Sequence, residues 1–272
     1  MQLVVNGENV HAATGGRAFD PARPSVLFLH GAGMDHTVWA LLARWFAHHG
    51  CGVLAPDLPG HGQSEGEPLR TIGAMADWSQ ALLDAAGAPR ATIIGHSMGT
   101  LIALELAARA PGRVSALGLI AAAAAMPVAP DLLTAARDND HAAIDMVAIW
   151  GLGFAAGLGG SLAPGAWMLG SGTRLLERAR PGALFADLSA CNDYADGLAQ
   201  APKVQAPAVL VLGERDMMTP AKAGRRLAAV LPAAHAVVLP GAGHMLMVER
   251  PDAVLDVLRT LAPRPQAQPD SH

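Results

Sequence analysis

The sequence predicts an α/β fold: a mostly parallel central sheet with helices on both faces, plus a helical insertion. Three observations carry this. Continuous apolar runs of strand length recur at Ser25–Leu29, Gly52–Pro56, Ala91–Ile94, Val114–Ala121, Pro207–Leu212 and His235–Leu239. A run without polar alternation suits a strand buried on both faces of a parallel sheet. Stretches rich in helix formers separate these runs, an alternation that gives crossover connections rather than hairpins. From about Ala122 to Lys203 the rhythm breaks into proline-punctuated, helix-like segments with no strand pattern. The expected organisation is therefore a core of residues 1–121 and 204–262, an insertion at 122–203, and a disordered tail at 263–272 rich in proline and glutamine. A chain of 272 residues, 51% of them hydrophobic, is long enough for one large domain of this kind.

The elements follow in order. Leu3 to Thr14 forms short β-like runs, broken by Gly15-Gly16 and by Pro21 to Pro24. The Ser25–Leu29 strand ends in His30-Gly31-Ala32-Gly33. Val38 to His49 reads as an amphipathic helix. After Gly52–Pro56 comes Asp57-Leu58-Pro59-Gly60-His61-Gly62-Gln63-Ser64, a loop whose glycines make turns and whose Asp57 is expected to bond local backbone N–H groups. His61 in that loop has no partner the sequence names. Thr71 can cap a helix running to about Ala86, and Pro111-Gly112 stops the helix that ends at Arg109.

The stretch Gly95-His96-Ser97-Met98-Gly99 joins a strand to a helix through a sharp turn. Glycines on both sides remove Cβ atoms where the chain doubles back. The middle residue is left strained, at a cost on the order of 1–3 kcal/mol, and its hydroxyl is exposed beside the positive end of a helix dipole. Here the chain resembles the serine-nucleophile branch of the α/β-hydrolase superfamily, and the stretch resembles its nucleophile elbow. Three further matches support the resemblance: His30-Gly31 after a strand, Gly213-Glu214-Arg215-Asp216 at a strand end, and Gly241-Ala242-Gly243-His244 with Glu249 and Pro251 following.

The resemblance implies a triad of Ser97, Asp216 and His244 and an oxyanion hole from the backbone N–H groups of Ala32 and Met98. It also implies that the insertion at 122–203 is a cap over the site. No cofactor is expected, and no metal, because the sequence shows no metal-ligand set. Glu214 is the nearby competitor for the acid, two residues early in the pattern. His96 is read as a packed or hydrogen-bonded neighbour rather than the base. Serine at the elbow points away from branches that use aspartate there, such as epoxide hydrolases and haloalkane dehalogenases. Carboxylesterase, lipase, thioesterase, lactonase, aminopeptidase and carbon–carbon hydrolase stay open, as does a slow-turnover ligand-binding protein on the same fold.

Composition narrows the partners. A net charge of −4, a pI of about 6.2 and the absence of a basic block argue against nucleic acid. Cys51 and Cys191 lie in no metal-ligand spacing and read as reduced, buried thiols of a cytoplasmic protein, with a disulfide between them left open. The first residues lack the pattern of a signal peptide. Met146 to Thr173 contains no charged residue. A membrane span is one reading of that length, but its eight glycines and Pro164 favour an apolar lid over the site, without stable membrane insertion. Trp150, Phe154, Trp167 and Met245 are the candidate pocket residues. Arg174, Arg178 and Arg180 offer either a site for a substrate carboxylate or a solvated helix face. The poverty of charge favours a small or medium apolar acyl ester as substrate, with the protein a monomer or homodimer.

Overall fold

The structure, a computed structural model, describes residues 1–160 and 167–262. Pro164 and the tail expected to be disordered lie outside the described residues.

The sheet has eight strands: β1 (Gln2–Val5), β2 (Glu8–Ala13), β3 (Ser25–Leu29), β4 (Gly52–Pro56), β5 (Ala91–His96), β6 (Val114–Ile120), β7 (Ala208–Gly213) and β8 (Ala234–Leu239), in the order β1-β2-β4-β3-β5-β6-β7-β8. β1 and β2 form an antiparallel hairpin turned by Asn6-Gly7, both at positive φ, and β2 adds antiparallel to β4. All other neighbours are parallel. The pleat sends alternate residues to opposite layers. In β3, Leu27 and Leu29 join one core while Val26 and Phe28 join the other. This double burial explains why the strand sequences are apolar throughout.

Crossover helices fill both layers. α1 (Ala40–His48) packs with the later C-terminal helix on one face, through Leu42 and Phe46. α2 (Ile72–Ala85) and α3 (Met98–Arg109) pack on the other, through Met75, Leu82, Leu101 and Leu104. The Thr71 hydroxyl accepts the Ala74 N–H at 3.1 Å and starts α2 as the sequence predicts.

Between β6 and β7 lie α4 (Pro130–Arg137), α5 (His141–Trp150), α6 (Phe154–Gly157), α7 (Met168–Glu177), α8 (Ala183–Asp193) and α9 (Gly197–Gln200). They form the helical cap, with a small core of Leu132, Ala143, Val147, Leu176 and Leu188. α10 (Ala221–Ala228) connects β7 to β8, and α11 (Leu246–Glu249) and α12 (Pro251–Leu258) follow β8. α12 is the partner of α1, contributing Val254 and Leu258.

The cap is tied to the sheet layer by polar contacts. Tyr194 donates to Glu105 at 2.7 Å. Arg178 forks onto Asp35, at 3.0 Å from Nε and 2.6 Å from a terminal nitrogen. Arg180 donates to the Ser64 carbonyl at 2.7 Å. Among the described residues no helix is long and apolar enough to cross a membrane. Met146 to Thr173 holds the end of α5, all of α6 and the start of α7 instead.

Candidate active site

Ser97 stands between β5 and α3 at φ 52°, ψ −119°. A non-glycine residue pays for this conformation, and the surroundings enforce it. A Cβ at Gly95 would run into the Gly99 carbonyl, and one at Gly99 would run into the Leu29 carbonyl at the end of β3. The Ser97 N–H is anchored to the Ile120 carbonyl of β6 at 3.0 Å. The serine side chain is thereby presented at the carboxyl end of the sheet, half-buried, against a cavity of about 190 Å³. His244 opens into the same cavity. The Ser97 hydroxyl and the His244 ring face the same cavity without a direct hydrogen bond between them.

Asp216 holds His244 from behind, with Oδ2 at 2.9 Å from Nδ1. The carboxylate is itself fixed: Oδ1 accepts the N–H groups of Met218 at 2.9 Å and Thr219 at 2.8 Å. Burial alone would raise this carboxyl's pKa. The facing imidazole and the Thr219 hydrogen bonds outweigh burial and hold it below the usual aspartate value. Glu214 is turned elsewhere and accepts the Gly241 N–H at 2.9 Å on the surface. Thr219 is a site neighbour the sequence did not single out. Its hydroxyl lies 2.7 Å from Asp216 Oδ2, 3.0 Å from the Ala121 carbonyl and 3.2 Å from His244 Nδ1.

The loop carrying His244 is built by Glu249, which accepts the N–H groups of Gly243 and Gly153 at 3.1 Å. Burial pushes the Glu249 carboxyl up against those hydrogen bonds. The N–H groups of His244 and Met245 both reach the Gly151 carbonyl at the end of α5, at 3.1 and 2.9 Å.

His96 is fully buried, with Nε2 donating to the His244 carbonyl at 3.0 Å and Nδ1 without a partner among the described residues. Burial, with His244 nearby, pushes its pKa down to about 3, so the ring is neutral. Its position is that of a hydrogen-bonded neighbour.

Across from the Ser97 turn, Ala32 borders the cavity. Its N–H has no partner among the described residues. Met98 is the first residue of α3, where an N–H has no acceptor within the helix. Two unspent donors beside a hydroxyl and an oriented imidazole can receive a negative oxygen as a nucleophile adds to a carbonyl.

Of the candidate pocket residues, Trp150 and Met245 line the Ser97 cavity. Phe154 and Trp167 do not. They stand 82% and 68% exposed on the outer side of the cap. Gly153 is drawn inward by Glu249, which leaves Phe154 on the outside of the turn. The apolar wall comes instead from Met126, Val128 and Leu132 before and within α4, and from Leu184 and Leu188 of α8. Cys191 also lines it, with its thiol pushed up by burial and so held protonated. Both cysteines are free. Arg178 is committed to Asp35, Arg180 to backbone carbonyls, and Arg174 to Glu177 at 2.5 Å.

Among the described residues, one group of side chains has metal-ligand composition. His11, His36 and Asp57 place donor atoms within 4.8 Å of one another. Asp57 is already engaged there: Oδ1 accepts the His36 N–H at 2.7 Å and the His36 ring at 2.8 Å, and Oδ2 accepts the Gln63 N–H at 2.9 Å.

The alpha/beta hydrolase family profile matches residues 26–257. A pimeloyl-[acyl-carrier protein] methyl ester esterase of Chromobacterium violaceum is 34% identical over 259 residues, covering 90% of this chain and 95% of that protein. Its counterpart in Aromatoleum aromaticum is also 34% identical, covering 87% and 99%. Among solved structures, the enol-lactonase of Burkholderia xenovorans superposes with a TM-score of 0.84 at 26% identity, covering 96% of this chain and 99% of that one. A thermophilic esterase of Thermogutta terrifontis, at 22% identity and a TM-score of 0.76, shares the fold. The sheet order, the strained serine turn and these matches together make the chain a member of the alpha/beta hydrolase family.

Proposed function

We propose that the protein is a carboxylic ester hydrolase that works through an acyl-enzyme on Ser97. One observation carries this reading: Ser97 and His244 open into one apolar cavity while Asp216 holds His244 from the other side. His244 takes the Ser97 proton as Oγ bonds to the ester carbonyl carbon. The carbonyl oxygen becomes an oxyanion and is received by the Ala32 and Met98 N–H groups. Collapse breaks the bond to the alkoxy oxygen, which leaves as the alcohol with the proton from His244. Water, deprotonated by the same imidazole, then releases the acid and restores Ser97.

The names of the two relatives at 34% identity support a methyl ester of a medium-length acyl group as the substrate class. The mainly apolar lining of the cavity suits such a chain. A lactone is the second reading, supported by the likeness to the enol-lactonase. The enzyme is read as cytoplasmic, a monomer or homodimer acting on a small-molecule acyl substrate.

The test is a panel of methyl esters, thioesters and lactones of matched acyl length, with Ser97→Ala alongside. Methyl ester turnover that disappears in Ser97→Ala, with an organophosphonate labelling Ser97 alone, is the expected result. Undiminished turnover in Ser97→Ala overturns the mechanism. A lactone preferred over every ester moves the assignment to the second reading.

A further inference from the structure

Asp187 of α8 is fully buried, 154 residues from the loop it touches. Its Oδ2 accepts the Gly33 N–H at 2.9 Å and sits 2.9 Å from His61 Nε2, while Oδ1 is buried without a hydrogen-bond partner among the described residues. A buried carboxylate is costly unless it is compensated. The compensation here is His61, whose other nitrogen, Nδ1, donates to the Pro59 carbonyl at 3.0 Å. Both ring nitrogens face acceptors; burial lowers the ring's pKa, and the charge of Asp187 with its hydrogen bond outweighs burial and raises it. Such an arrangement needs a reason beyond packing.

The reason lies in what Gly33 does. The Met34 N–H bonds the Gly31 carbonyl at 3.2 Å. Gly33 has φ +68°, and Ala32 has no positive φ. Gly31 to Met34 is therefore a type II turn, with Ala32 and Gly33 as its central residues. The Gly33 N–H belongs to the central peptide of that turn, and the orientation of this peptide separates type II from type I. Asp187 holds it in the type II sense, because a flipped peptide would aim the Ala32 carbonyl at a carboxylate. The cap also presses on the turn from the same side: a Cβ at Gly33 would come within 2.9 Å of Leu184 Cδ1 and 3.1 Å of Leu176 Cδ2. Ala32, whose N–H is unspent, is the neighbouring residue of this turn.

We infer that Asp187 is a positioning residue that sets the oxyanion turn, so that the Ala32 donor is in place only when the cap is docked. This rests on the proposed role of Ser97. The carboxylate would act through Gly33 on the transition state and leave ground-state binding in the apolar cavity alone.

The test compares Asp187→Ala, Asp187→Leu and Asp187→Asn. Asparagine can keep the contact that the inference needs: with its oxygen in the place of Oδ2 it accepts the Gly33 N–H, and the same oxygen faces His61 Nε2. The readouts are kcat and KM on a methyl ester, affinity for a trifluoromethyl ketone of the same acyl group, and affinity for the product acid. The ketone adds Ser97 Oγ and carries an oxyanion; the acid does not. Alanine and leucine should lower kcat about 10- to 100-fold, scaled from the loss of an oxyanion donor. Ketone affinity should fall in parallel, while KM and acid affinity stay within about twofold. Asparagine should return to within a few-fold of wild type.

Ketone affinity within twofold of wild type in Asp187→Ala, or a rise in KM alone, overturns the inference and leaves the proposed function intact. A wild-type enzyme without Ser97-dependent turnover fails the function first. Should alanine and leucine not fold, amide exchange in the wild type decides. A slowly exchanging Gly33 N–H supports the bond to Asp187, and exchange as fast as an open loop overturns it.

Discussion

His96 Nε2 donates to the backbone carbonyl of His244 at 3.0 Å, so the residue before the serine holds the main chain of the histidine 148 positions away. The ring does this as a neutral base with a pKa near 3. An unfolded chain takes a proton on histidine near pH 6.5, whereas this ring does not until about 3. Stability from this group is therefore complete above pH 6.5 and is lost as the pH falls between those values. His30 behaves likewise. Its pKa is driven to about 4 by burial and His61, with Nδ1 donating to the Gly31 carbonyl and Nε2 accepting the Leu58 N–H. Each ring should cost about 1.4 kcal/mol per pH unit below about pH 6. Denaturant titrations at pH 7, 6, 5.5 and 5 should show the unfolding free energy falling, and His96→Asn should remove about one ring's share of the slope. Burial lowers His61, but its pairing with Asp187 outweighs burial and raises it, so this ring works the other way between pH 7 and 6, where the unfolded histidine is still gaining its proton, and adds little below pH 6. A slope that His96→Asn leaves unchanged would show that His96 titrates normally.

Asp216→Asn should lower kcat by several orders of magnitude. The asparagine amide cannot accept the His244 Nδ1 proton without turning its oxygen away from the Met218 and Thr219 N–H groups. Glu214→Gln keeps an acceptor for the Gly241 N–H at the surface and should stay within a few-fold of wild type. Steady-state kinetics on one ester decides between them, and the reverse ranking would make Glu214 the acid.

Trp150 lines the cavity whereas Phe154 and Trp167 do not. A buried CH₂ is worth up to about 0.8 kcal/mol. On this basis kcat/KM should climb about tenfold or more from acetyl to hexanoyl esters. Trp150→Ala should flatten that profile, while Phe154→Ala and Trp167→Ala should leave it as it is. A profile altered by Phe154→Ala and not by Trp150→Ala would place the acyl chain in the outer groove.

Arg178→Ala should act on cap docking rather than on substrate. The side chain is 54% exposed and spent on Asp35, so solvent screening keeps the loss below about 1 kcal/mol. The ratio of rates on carboxylate-bearing and neutral esters of equal length should not change. A selective loss on the anionic ester would show that the arginine reaches substrate.

The strands and the serine turn were legible in the sequence, while Asp216 and His244 were marked there only by their resemblance to the family's motifs at two strand ends. Each rests on local chemistry: apolar runs buried on two faces, glycines where backbones collide, and side chains placed at strand ends. His61 had no partner in the sequence because its partner, Asp187, is 126 residues away on a cap helix. The pocket wall was assigned to the uncharged stretch by composition, yet the structure draws much of it from α8 and from the Met126–Leu132 segment. Composition marks what is apolar, but only the packing of the cap on the sheet decides which apolar faces turn inward. Gly151 and Gly153 bend the end of α5 against the His244 loop, and Phe154 is carried out toward solvent. Likewise Arg178 and Arg180 could have met a substrate or water, and the docked cap gives them Asp35 and the Ser64 carbonyl. Contacts of long sequence separation leave no periodic trace, so these parts of the site exist only in the folded chain.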